Sequence, residues 1–392
     1  MRWTVVGSLL SALALTLCPA EELSREELQE LKQTLRQSLL KGKMDEAVAA
    51  VTKIGSGDSK ASALVLLGLA HNSPPQIYEA ARAGLAGMSS GEVDTMISRK
   101  CKLGRAEEQL LLADALEQRG GSFASLALGT LLDSPDPRVV RGALVAIERA
   151  KLADARGALE TWLQGAPPTH AARLLGLHVL HELSGGEAGE AAPGATCAGA
   201  PVLGEQIVFV LDTSAGMAKD DRLAKAKATL LAAIQALAPE QRFTVLAYSG
   251  HTLEGLAEPE LERGAYPPTV GGVTWLRSLG ERVEFAKPLW LEKAQAFVDG
   301  LQPAEEDAFV LRALEAAVSV PLAEAVVLIS GGDFSDVDHA RSERHSPESL
   351  LAGVRAANRY RRVVINVRSF SGASPALAEL AAQSGGTYVE LE

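Results

Sequence analysis

Along the first half of the chain, apolar residues recur three and four positions apart, the period of a helix buried on one face. Leu28, Leu31, Leu35 and Leu39 begin the series, and Ser24 with Glu27 ahead of them forms a capping-box signature. A cap residue followed by proline marks further helix starts at Ser73-Pro74, Asp136-Pro137 and Pro167-Pro168. Ile77, Ala81, Leu85 and Met88 form the stripe after the first of these, and Val140, Leu144 and Ile147 the stripe after the second. Pro137 and Pro168 stand 31 apart, and Pro74 and Pro137 stand 63 apart, close to twice that. A period of roughly 30 with two short helices per unit predicts stacked helical hairpins over residues 21–185; a non-repetitive bundle is the alternative.

The stretch from Gly185 to Ala195 is small, polar and without period, which predicts a flexible linker across 186–203. Beyond it the pattern changes. Ile207 to Leu211 is an unbroken apolar run, as expected of a strand covered on both faces in a parallel sheet. Asp212, Thr213, Ser214 and small residues end that run, and Leu223, Ala226, Leu230 and Ile234 then return to helical spacing. Strand, short polar loop and helix place Asp212 and Ser214 at the carboxyl edge of a sheet, where open α/β folds bind ligands. Further strands are predicted at 242–248, 281–285, 325–329, 363–367 and 387–391, with helices over 289–300 and 308–318 and a last helix capped by Ser374-Pro375. The fold class expected is multidomain: an N-terminal all-α repeat or bundle, then a doubly wound, mostly parallel α/β sheet over 204–392.

The formal charge of −11 over 392 residues argues against nucleic acid or an anionic membrane as the main partner, since both require a basic face. The first twenty residues read as a secretory signal peptide: Met1-Arg2, an apolar stretch from Thr4 to Leu17, then Cys18-Pro19-Ala20. Export to the periplasm, cell envelope or medium is therefore expected, with no membrane span after its removal. Cys101 and Cys197 then remain, and two independent free thiols are the reading preferred over a disulfide. His178, His181 and Glu182 share a helix face near His170, but no further ligand is spaced to complete a metal site. His339 and His345 lie in a loop that reads as solvent-exposed. No Gly-x-Ser-x-Gly elbow, phosphate loop or His-Glu-x-x-His is present.

The run from Ile207 to Met217 resembles the first metal-ion-dependent adhesion loop, Asp-x-Ser-x-Ser, of von Willebrand factor type A domains. Leu328-Ile329-Ser330-Gly331-Gly332 is similar to the family's fourth-strand ending, and Leu380 to Tyr388 to its last helix and strand. Ser134 to Val140 resembles the turn and second-helix start of HEAT-type repeats. The first resemblance implies a hard cation such as Mg²⁺, held by hydroxyls and carboxylates from three loops, with a partner's carboxylate completing the shell. Asp212 and Ser214 match that ligand set. Gly216 stands at its second serine, Ala308 at the second loop's threonine and Gly331 at the third loop's aspartate, so the implied site is degenerate. Asp333, Asp336 and Asp338 are candidate compensating acids, as are Glu305, Glu306 and Asp307; a solvated acidic loop is the alternative reading of each group. Tyr248, Trp275 and Trp290 are candidates for the rim of a binding face, with a core position favoured for Trp290.

These residues predict an exported, non-enzymatic interaction protein that holds a protein partner through the carboxyl edge of the sheet and through the helical surface, without a cofactor. Two alternatives stand beside it. One is a working Mg²⁺-dependent adhesion domain with loop acids replacing the lost ligands. The other is a phosphatase-like hydrolase using Asp212, because strand-then-aspartate is similar to haloacid-dehalogenase-type nucleophiles; Ser214 occupies the place of the second acid those enzymes need.

Overall fold

Caps and prolines set where most of the helices begin. The computed structural model describes residues 23–185, 195–249, 269–270, 273–274, 276–304, 310–331, 337–338, 343–344, 346–370 and 374–392. At the start of α1 (Arg25–Leu40) the capping box closes, Ser24 N donating to Glu27 Oε2 at 2.8 Å and Glu27 N to Ser24 Oγ at 3.2 Å. Helices α2 (Met44–Gly55), α3 (Lys60–Gly68) and α4 (Pro75–Gly87) follow in the first of two compact units, residues 1–96. A Cβ on Gly55 would lie 2.7 Å from Gly84 Cα, so α2 and α4 meet backbone to backbone and only glycine fits there. The predicted stripe is buried, from Ile77 to Met88. Its helix starts one residue later than expected, with Pro74 in the cap position and Pro75 in the first turn. Helix α5 (Gly91–Leu103) spans the division between the units.

The second unit, Ile97–Glu392, joins the remaining helices of the first half to the sheet. It opens with α6 (Ala106–Arg119), α7 (Gly121–Leu131), α8 (Pro137–Arg149), α9 (Arg156–Gly165) and α10 (Arg173–Leu183). Asp136 caps α8 as expected, its carboxylate accepting from Arg138 N at 2.9 Å. Pro167-Pro168 does not open a helix, because the chain turns there before α10. Ala166, the residue before Pro167, is held extended, and Arg173 Nη1 ties the turn down by donating to Leu163 O and Ala166 O at 2.7 and 2.9 Å.

Thr196–Cys197 (β1) and Ala200–Pro201 (β2) form a hairpin in the described part of the expected linker; residues 186–194 lie outside the described residues. The central strand β3 (Gln206–Asp212) pairs in parallel with β4 (Arg242–Tyr248). Two further short hairpins pair β5 (Thr269–Val270) with β6 (Val273–Thr274), and, farther along, β10 (Val337–Asp338) with β11 (Glu343–Arg344). The edge strands β7 (Leu276–Ser278) and β8 (Glu284–Phe285) both run antiparallel on β4. On the other side of β3 lie β9 (Ala325–Ser330), β12 (Val364–Ser369) and β13 (Tyr388–Glu390), all parallel.

Alternate side chains of β3 enter different cores. Ile207, Phe209 and Leu211 pack with α11 (Arg222–Gln235) and α12 (Pro288–Asp299). Val208 and Val210 pack with α13 (Val310–Ser319), α14 (Pro347–Asn358) and α15 (Pro375–Gln383). Helices on both faces explain why the strands read as unbroken apolar runs. Helix α14 was not among the expected elements, although Ser346-Pro347 carries the same cap-and-proline signature, and Ser346 Oγ accepts from Ser349 N. No helix among the described residues is long and apolar enough to cross a membrane.

Helix α8 docks on the α/β part through arginines. Arg138 Nη1 donates to Tyr360 O at 3.1 Å and Arg141 Nε to Arg362 O at 2.7 Å. In return the Arg362 guanidinium grips both oxygens of Asp114 on α6, at 2.8 Å each. That fork is mostly buried, where a charge-assisted pair keeps its strength. In a denaturant double-mutant cycle, Asp114→Ala and Arg362→Ala should couple by about 1–3 kcal/mol. A coupling below about 0.3 kcal/mol would remove this pair from the docking.

Candidate functional site

Parallel pairing of β3 with β9 and β4 brings three strand ends together at one edge. Leu211 aligns with Ile329, and Asp212 with Tyr248. Asp212, the last residue of β3, is only 2% exposed. Its Oδ1 accepts from Ser214 N at 2.8 Å; its Oδ2 accepts from Ser330 Oγ at 3.0 Å and from Gly331 N at 3.1 Å. The loop that follows is tied down at each step. Thr213 N and Oγ1 both donate to Tyr248 O at 2.8 Å, and Thr213 O accepts from Ala304 N at 2.7 Å. Ser214 and Ser330 are buried beside the carboxylate.

Burial pushes the Asp212 carboxyl above the usual carboxylate range, and the hydrogen bonds from Ser214, Gly331 and Ser330 offset this only in part. Met217 is fully buried behind the loop, and a Cβ on Gly331 would meet its sulfur at 3.1 Å and Asp212 Oδ2 at 3.7 Å. Any side chain at 331 would thus begin in tight contact with the Met217 thioether. Of the residues matched to the adhesion loop, Asp212 and Ser214 are brought together; Gly216 and Gly331 offer no side-chain oxygen. With its carboxylate already engaged by three internal donors and a soft sulfur alongside, this set does not fit a hard, octahedral cation.

Several expected residues fall elsewhere. Tyr248 is wholly buried, its hydroxyl donating to Ser330 Oγ at 3.5 Å, so it backs the site and does not rim it. Trp290 packs against the core, its indole N–H donating to Phe243 O at 3.3 Å. Asp338 falls in β10. Trp275, Glu305, Glu306, Asp307, Ala308, Asp333, Asp336, His339 and His345 lie outside the described residues. His178 Nε2 sits 3.6 Å from Glu148 Oε1 on α8, and His170 Nδ1 accepts from Ala172 N. Among the described residues, no three His, Cys, Asp or Glu side chains converge as metal ligands. Cys101 and Cys197 are free and buried, and burial pushes the Cys101 thiol up to about 12. The sequence reading missed Ser330 and Met217 as parts of the site. Ser330 had a signal, its place one residue before Gly331; Met217 had none.

No protein-family model matches the chain, and no curated protein does. Among solved structures, a von Willebrand factor type A protein from Catenulispora acidiphila is similar at 19% identity and a TM-score of 0.34. The match covers 48% of this chain and 39% of that one.

A raised carboxyl pKa carries a sign. Folding is favoured while Asp212 is protonated, so this contribution is whole below about pH 4 and is lost as pH rises through the folded-state value. Asp212→Asn cannot ionise. The stability of the native chain relative to Asp212→Asn, read from urea midpoints, should therefore fall as pH rises above about 4. A difference that stays level or grows would show that the three hydrogen bonds outweigh burial.

Proposed function

We propose that this chain is an exported, non-enzymatic interaction protein that holds a protein partner through the carboxyl edge of its sheet and through its helical surface, without a metal ion. The observation that carries this reading is the engagement of Asp212: both carboxylate oxygens accept from neighbours of the same fold, and the Met217 sulfur stands 3.1 Å from where a side chain at 331 would begin. A carboxylate 2% exposed and so engaged is a poor nucleophile and a poor open ligand, which supports binding without catalysis. The apolar run from Thr4 to Leu17 supports export.

Capture of a partner by the full chain from a cell-envelope fraction should proceed equally with and without EDTA, and millimolar Mg²⁺ should leave the melting midpoint unmoved. The triple variant Gly216→Ser, Met217→Ala, Gly331→Asp should instead gain a Mg²⁺-dependent rise of several degrees, since a hundredfold excess over Kd adds about 2.7 kcal/mol. A Mg²⁺ upshift in the native chain that Asp212→Ala abolishes would replace this reading with a working adhesion site. Turnover of a phosphoester lost in Asp212→Ala would replace it with a hydrolase.

A further inference from the structure

The opposite edge of the sheet carries a separate opening. A cavity of about 660 Å³ lies between the start of α8 and the amino ends of β3 and β9, within the roughly 300–1,000 Å³ range of small-molecule sites. Arg141 lines it and is only 5% exposed. Its Nε and Nη2 donate to the carbonyls of Arg362 and Arg361, at 2.7 and 3.3 Å. Among the described residues its Nη1 has no hydrogen-bond partner and no carboxylate stands within ion-pair distance of it. Glu324 and Asp136 act on it through space without bonding it, so a buried guanidinium hydrogen-bonded to neutral carbonyls alone still keeps part of its desolvation cost, which a directly bonded anion would relieve.

Charge accounting around the cavity gives the sign and size of that partner. Asp136 is taken by Arg138 at 2.6 Å. Glu324, also in the wall, accepts from Glu205 N and Gln206 Nε2 at 3.0 Å each. Arg361 lines the cavity with an exposed side chain that has no partner among the described residues. Arg141 and Arg361 against Glu324 leave one positive charge in excess. The accessible apolar part of the wall is Leu322, 64% exposed, with Pro135 and Pro137; Val318 and Val320 stand behind it, 1% and 4% exposed. A phosphate dianion would overshoot the charge and set oxygens against that wall.

We propose that this cavity binds a carboxylate monoanion with an apolar body, its oxygens on Arg141 and Arg361 and its body on Leu322, Pro135 and Pro137. A planar guanidinium suits a carboxylate better than any other singly charged group. Two sources share this chemistry, a free small acid and the C-terminal residue of a peptide. The site lies at the other edge of the sheet from Asp212 and is independent of the function proposed above.

Isothermal titration of the full chain tests the proposal with 4-methylpentanoate, a leucine-ended tetrapeptide, the amide of each, and inorganic phosphate. Saturable binding of a free acid but not of its amide is expected. Binding of 4-methylpentanoate identifies a small-acid site, and binding of the tetrapeptide alone identifies a chain-end site. Arg361→Gln, on an exposed side chain that leaves the fold intact, should weaken binding by roughly tenfold. Arg141→Gln should abolish it with an unchanged far-ultraviolet dichroism spectrum. Equal binding of acid and amide, tighter binding of phosphate, no saturation by either acid, or full affinity in Arg361→Gln would each overturn the proposal.

Discussion

The burial of α8 on every side is the constraint that the second unit depends on. From Val139 to Ile147 all nine consecutive residues are buried, a pattern no surface helix shows. One side packs on α6, α7 and α10, and the other faces the α/β part. At Gly142 the side chains of Leu110, Ala113 and Arg362 close in to 3.4–3.8 Å of where a Cβ would stand, so the helix is packed there by its neighbours' side chains. A helix in that position needs any polar side chain to bring its own partner, and Arg141 does so by reaching the carbonyls of Arg361 and Arg362. Arg362 itself adopts a left-handed φ of 55°, a conformation with a cost that its bonds to Asp114 and Arg141 help to offset.

From that anchor the two edges of the sheet differ in kind. At the carboxyl edge, parallel register delivers the ends of β3, β4 and β9 to one place, and the chain uses the convergence to satisfy itself. Asp212 consumes the donors of Ser214, Ser330 and Gly331, and Met217 closes the space behind them. Both oxygens of Asp212 are turned toward donors of the chain itself. At the amino edge the balance is reversed, because charge there is left over.

Two buried arginines make the contrast concrete. Arg368 is wholly buried, yet its guanidinium donates to Cys197 O, Ala200 O, Val367 O, Thr387 O and Thr387 Oγ1. All three of its nitrogens are engaged, and its role is to fasten the β1–β2 hairpin to the sheet. Arg141 is 5% exposed and, among the described residues, leaves one nitrogen without a hydrogen bond beside a cavity. Depth alone does not mark a binding residue; incomplete satisfaction beside open space does.

The sequence by itself determined what depends on neighbours along the chain. The capping box at Ser24, the Asp136 cap, the apolar runs of β3, β4 and β9 and the Ser374 cap are local, so their residues specify them directly. The break in period near residue 185 separated helices from the α/β pattern for the same reason, and Asp212 and Ser214 were legible because strand and loop are contiguous. Where local signals competed, the reading slipped: Pro167-Pro168 looked like a helix start, but Arg173 caps the preceding carbonyls and holds a turn there. Only the tertiary structure decided which groups meet from far along the chain. Met217 against Gly331, Ser330 on Asp212, and Arg362 on Asp114 are each separated by more than a hundred residues, and no periodicity encodes such contacts. Whether the oxygens of Asp212 are taken by neighbours, and whether a buried arginine is satisfied, are set by that long-range packing.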